Sequence, residues 1–182
     1  MSDLEEQKPG VSRRTVAKAM AWSVPAVALA VPTPAYAASP GVIELSGLGC
    51  KLPGNSQGPF KGYAFRATIS NTTNAQVTVT ITDMVLGATD LGNVGIIDLT
   101  SCTLLGTNTF ILAANTTLSN VALVTTNGET SQNAPVTVQY TVDGSPDTST
   151  ASSPDQPPIQ GNTCEENVFS ADERACINSH ND

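Results

Sequence analysis

Four cysteines, Cys50, Cys102, Cys164 and Cys176, and a single histidine, His180, are the residues of this 182-residue chain best suited to redox, metal or nucleophilic chemistry. Structural zinc wants close ligand pairs such as C-x2-C. Here 51, 61 and 11 residues intervene between successive cysteines, and His180 stands near the end of the sequence, so no metal site is expected. A hydrolytic nucleophile needs a base, usually His, and at the end of the sequence order is not expected of His180. No Gly-x-Ser-x-Gly, phosphate-cradling loop or dinucleotide fingerprint occurs. No catalytic residue and no cofactor are therefore expected.

Carboxylates are the other candidates. Asp83, Asp90 and Asp98 fall near predicted strand ends, where a pair could cleave glycosides, but solvated turn residues are the plainer reading. Asp83 with Asp90, or Asp143 with Asp147, could hold calcium, although no D-x-D-x-D-G loop is present. Lys51 and Lys61, with a buried acid such as Glu44, are the candidates for an intramolecular isopeptide bond. Asn71 and Asn115 begin N-x-T sequons.

An even number of cysteines points to disulfides in an oxidising compartment. Three connectivities are open. Cys50–Cys102 with Cys164–Cys176 is favoured, since the second pair brackets a compact C-terminal segment.

The elements that must position these groups are strands. Tyr63, Phe65, Ala67 and Ile69 alternate with Ala64, Arg66, Thr68 and Ser70, which predicts an inward and an outward face. Val77, Val79 and Ile81 alternate with Thr78, Thr80 and Thr82, the firmest strand in the chain. Val94–Leu99, Thr109–Leu112, a less regular run from Leu118 to Val124, and Val136 to Val142 follow, separated by turn signals. With Val42–Leu48 in front, about seven strands are expected. No helix-period segment or long crossover appears before residue 150, so the expected fold is an all-β antiparallel sandwich, with a small barrel as runner-up. Beyond Val142 the Pro-, Ser- and Thr-rich stretch 145–160 reads as a linker. Ser170 with Glu173 forms a capping-box pattern for a short helix in segment 161–182.

The N-terminus has a separate logic. A polar start precedes Ser12-Arg13-Arg14-Thr15-Val16-Ala17-Lys18, then a small-residue apolar run from Ala19 to Val31, then Ala35-Tyr36-Ala37-Ala38. The run is too short to span a bilayer, which takes roughly 20 residues. These are the parts of a secretory signal, with cleavage after Ala37. Ser12, Arg13, Arg14 and Lys18 resemble the twin-arginine (Tat) export pattern, while Val16 and Ala17 replace its larger apolar residues. The resemblance, to small secreted proteins of actinobacterial type, implies the Tat translocase and a signal peptidase as partners, with Ala35, Ala37 and Ala38 at the peptidase site. No Cys follows the apolar run and no sortase-type tail is present, so no stable membrane anchor is expected.

Of the 8 basic and 16 acidic residues, four and 13 lie beyond residue 37, which gives that part a formal net charge of −9. Nucleic-acid binding needs clustered Lys and Arg and is disfavoured. Ser70-Asn71-Thr72-Thr73-Asn74, Val77-Thr78-Val79-Thr80-Ile81-Thr82-Asp83 and Asn115-Thr116-Thr117-Leu118 resemble the immunoglobulin-like modules of bacterial surface proteins. That resemblance implies an immunoglobulin-like sandwich over 38–144, after a signal at 1–37. The expected function is a secreted or envelope-associated, non-enzymatic binding or structural module whose partner is an extracellular protein or glycan. An accessory subunit of an exported enzyme and a pilus-like self-assembling subunit are the alternatives.

Overall fold

The computed structural model describes residues 42–52, 58–128, 134–143, 145, 148–155, 164 and 167–181. The export-signal residues Ser12, Arg13, Arg14 and Lys18, the cleavage-site residues Ala35, Ala37 and Ala38, and Asp147 lie outside them. Residues 39–182 form one compact unit.

The described residues hold ten strands: β1 (Ile43–Lys51), β2 (Tyr63–Asn71), β3 (Val77–Leu86), β4 (Thr89–Asp90), β5 (Val94–Asp98), β6 (Thr103–Thr107), β7 (Thr109–Leu112), β8 (Thr116–Thr125), β9 (Pro135–Val142) and β10 (Ser149–Asp155). One helix, α1 (Ala171–Ser179), follows. Sheet A has the order β1-β2-β8-β5-β6 and sheet B the order β10-β9-β3-β4, with β7 also paired to β3. Every pairing is antiparallel. The excess over seven comes mainly from the short strands β4 and β6 and from β10.

Strand β10 changes the expected boundaries. Ser149, Thr150, Ala151 and Ser152 pair with Tyr140, Gln139, Val138 and Thr137, so part of the expected linker is an edge strand. Ala151 packs into the core, and Ser153 Oγ accepts a hydrogen bond from the Val136 amide at 3.1 Å. Pro154 belongs to this strand, and the edge is where a residue without an N–H is tolerated.

The core between the sheets follows the predicted alternation. Tyr63, Phe65, Ala67 and Ile69 of β2 meet Val77, Val79 and Ile81 of β3, and Val136, Val138 and Tyr140 of β9, in one buried cluster. The expected outward face of β2 reaches solvent only in part. Ala64 is fully buried and Arg66 is half-buried, because a second apolar cluster lies on the far side of sheet A. Leu52, Phe60, Ala64, Ile97, Leu99, Ala122 and Val124 form its sheet side, and Val168, Phe169, Cys176 and Ile177 cover them.

Burial on both faces explains the irregular run in β8. Val121 and Leu123 point into the inter-sheet core, while Ala122 and Val124 point toward the C-terminal segment. A strand covered on both sides reads as a continuous apolar run rather than an alternation. Gly95 of β5 belongs to the same layer: a Cβ there would come within 2.3 Å of the buried Phe60 ring.

Candidate functional site

The C-terminal segment lies as a strap across the outer face of sheet A. Its helix starts as the sequence predicts. Ser170 Oγ accepts from the Glu173 amide at 3.3 Å, and Glu173 Oε2 accepts from the Ser170 amide at 2.8 Å. That capping box anchors a second function of Glu173. Its carboxylate accepts from Arg66 Nη2 at 2.7 Å and Nη1 at 3.2 Å, and from Asn120 Nδ2 at 2.9 Å. Arg66 also donates to the Val168 carbonyl and to Asn120 Oδ1, and its guanidinium lies 4.9 Å from the centroid of the Phe169 ring.

Burial of the Glu173 carboxyl pushes its pKa up. The hydrogen bonds from Arg66, the Ser170 amide and Asn120, with the Arg66 charge, outweigh this and hold it at about 2 against an ordinary 4.5. The guanidinium fork is what lets one strand residue bind a carboxylate and a carbonyl together.

The disulfides differ from the favoured pairing. Cys50 joins Cys164 and Cys102 joins Cys176, with Cα–Cα distances of 4.8 and 5.6 Å. Cys50 lies on edge strand β1, and Cys102 lies in the β5–β6 turn at the opposite side of sheet A. Three to four strand spacings of about 4.8 Å separate them, roughly 14–19 Å. A disulfide spans Cα atoms no more than about 7 Å apart. The strap therefore takes one bridge at each side of the sheet, and Cys164 and Cys176 cannot serve each other.

His180 and Asn181 pack against the sheet, contrary to the expectation for His180. Asn181 is buried, and its Oδ1 accepts from the Phe60 amide at 2.9 Å. His180 caps α1 and is half-buried, with Nε2 4.0 Å from Cys102 Sγ. Ser179 Oγ lies 3.9 Å from the same sulfur. Cys102, Cys176 and His180 place their ligand atoms within 4.8 Å of one another, the one such group of three among the described residues. Residues 78 apart in sequence meet here, which no motif spacing could reveal.

Asp90, Asp98 and Asp143 stand where strands pass into turns, whereas Asp83 lies within β3, paired with Gln139, and is no turn residue. Asp90 Oδ1 accepts from the Gly92 amide at 2.7 Å and Asp143 Oδ1 from the Thr78 amide at 2.7 Å. Asp98 takes the Thr100 amide and the Ser101 hydroxyl, which shapes the turn that carries Cys102 at φ 52°. Glu44 is exposed on β1, not the buried acid an isopeptide bond needs. Lys51 Nζ lies 6.0 Å from the Tyr63 ring centroid, and Lys61 is exposed. Asn71, the first sequon residue, is buried. Its amide donates to the carbonyls of Ala75, Leu112 and Ala113, and its Oδ1 accepts from Thr73.

Sheet B presents a polar outer face. Thr80 stands between Thr109 of β7 and Thr141 of β9, Asp83 opposite Gln139, and Thr137 opposite Ser152. Ile111, exposed at 60 %, interrupts this face.

These features define the class: an all-β protein of two stacked antiparallel sheets whose C-terminal helix is strapped to one outer face by two disulfides. No protein-family model, curated protein or solved structure matches the chain. No helix among the described residues is long and apolar enough to cross a membrane.

Proposed function

We propose that the protein is exported by the twin-arginine route and acts outside the cytoplasm as a non-enzymatic, immunoglobulin-like binding or structural module. The observation that carries this reading is the use of all four cysteines in two interleaved bridges that hold the strap. Such bridges persist in oxidising compartments, and the Ser12-Arg13-Arg14-x-x-x-Lys18 pattern supplies a route to one. The strand order supports the immunoglobulin-like reading. β1-β2-β8-β5 takes the positions of strands A-B-E-D, and β10-β9-β3 those of G-F-C. The sandwich then runs to Asp155, past the boundary at 144 expected from composition.

An extracellular protein or glycan is the partner. The Thr-, Ser- and Gln-rich outer face of sheet B is the sheet surface the strap leaves uncovered, and hydroxyl and amide groups suit hydrogen-bonding recognition. Two measurements test the reading. Arg13→Lys/Arg14→Lys should abolish export while the wild type reaches the medium or envelope with Ala38 as its first residue. Capture of envelope proteins and glycans by the exported protein should weaken on Thr80→Arg/Thr141→Arg substitution. Undiminished export of the double lysine variant, or a stoichiometric cofactor in the purified protein, would overturn it.

A further inference from the structure

We propose that Cys102, Cys176 and His180 form a redox-gated zinc site, closed while the disulfide stands and opened by its reduction. The inference rests on geometry alone and does not depend on the export reading.

The two bridges differ in access. Cys50 is fully buried and its partner Cys164 half-buried, whereas Cys102 is exposed in the β5–β6 turn. Thiol–disulfide exchange needs a path to a sulfur. An external dithiol therefore attacks Cys102–Cys176 first. It donates two electrons, becomes a disulfide itself, and its two protons end on the Cys102 and Cys176 thiols.

What reduction leaves is a ligand set. Both sulfurs remain at the junction of the β5–β6 turn and the end of α1, with His180 Nε2 4.0 Å from Cys102 Sγ in the bridged state. Tetrahedral zinc at about 2.3 Å from sulfur and about 2.0 Å from nitrogen sets its ligands roughly 3.5–3.8 Å apart. The sulfurs need only move apart by the extra length, and His180 must close by about an ångström on Cys176 Sγ, since the three ligand atoms span up to 4.8 Å in the bridged state. Zn²⁺ displaces the two thiol protons, and the neutral imidazole supplies the third donor. A water completes the tetrahedron. Borderline-soft zinc matches a two-sulfur, one-nitrogen set, whereas calcium and magnesium prefer oxygen. The metal would restore the tie between strap and sheet that reduction removes.

The test uses the full chain in its oxidised form. A phosphine reductant without denaturant should liberate two thiols first, and alkylation mapping should place them at Cys102 and Cys176. After desalting, titration with Co²⁺ should produce thiolate-to-cobalt charge-transfer absorption that one equivalent of Zn²⁺ abolishes. The unreduced protein should give no such band. His180→Ala should weaken cobalt affinity by more than about tenfold, since even outer partners of metal ligands are worth 10- to 100-fold. Cys102→Ser/Cys176→Ser, which keeps the other bridge, should give no band, with circular dichroism reporting its fold. A two-thiol wild-type protein without the cobalt band overturns the proposal. So does first release of Cys50 and Cys164, or equal affinity in His180→Ala.

Discussion

Glu173 Oε2 lies 2.7 Å from Arg66 Nη2 and 2.8 Å from the Ser170 amide nitrogen, so one carboxylate caps the strap's helix and grips strand β2. The charged form is the one all its partners favour. Because the folded pKa of about 2 lies below the ordinary 4.5, this stabilisation is fully present above pH 4.5. It is lost as pH falls toward 2. With the pair partly open to solvent, screening reduces what linkage assigns to it to about 1–2 kcal/mol. Urea unfolding at stepped pH should show wild-type stability falling across this window, and Glu173→Gln should flatten the fall. Parallel curves for the two proteins would refute this role.

Arg66 should be less replaceable than its charge. Arg66→Lys keeps a cation but loses the fork that binds Glu173, Asn120 and the Val168 carbonyl together. It also loses the guanidinium contact over the Phe169 ring. A cost of about 1–2 kcal/mol is expected for Lys. Arg66→Ala should cost more, about 2–3 kcal/mol, since it removes the cation and leaves the half-buried carboxylate to Ser170 and Asn120 alone. Denaturant midpoints compare the two directly.

Non-reducing peptide mapping should recover Cys50 linked to Cys164 and Cys102 linked to Cys176. Recovery of a Cys164–Cys176 peptide would contradict the strap. The loops span 114 and 74 residues, for which chain entropy gives roughly 4–5 kcal/mol each. Removing either pair should therefore lower the melting temperature far more than an exposed substitution does.

Asn71 is a structural residue whose side chain is committed inside the fold. Its buried amide donates to the Ala75 carbonyl in the loop after β2 and to the Leu112 and Ala113 carbonyls at the end of β7. Asn71→Ala should destabilise by about 2–3 kcal/mol, the cost of stranding buried polar groups. Asn71→Asp should be comparably harmful, because a carboxylate cannot donate to those carbonyls. Thermal melts of the two variants check this, and near-wild-type stability in either would count against it.

Much of the fold was legible because its signals are local. The inward set Tyr63, Phe65, Ala67 and Ile69 follows from the two-residue repeat of a pleated strand. The Ser170–Glu173 capping box spans one helical turn. Strand β10 was hidden because Pro, Ser and Thr look alike in a linker and at a sheet edge. Ala64 and Arg66 looked solvent-facing because alternation shows which residues share a face, not what lies opposite it.

By itself, then, the amino-acid sequence determined an antiparallel β protein with Val77, Val79 and Ile81 inward, a capped helix at Ser170, and cysteines destined for bridges. Only the tertiary structure decided which cysteines meet, that Arg66 pairs with Glu173, and that His180 stands beside Cys102. The physical reason is distance along the chain. Periodicity and capping act over a few residues, while these meetings join residues 74 to 114 apart. Strand order in sheet A sets them: it puts Cys50 and Cys102 toward opposite sides and leaves the C-terminal segment to bridge the face between.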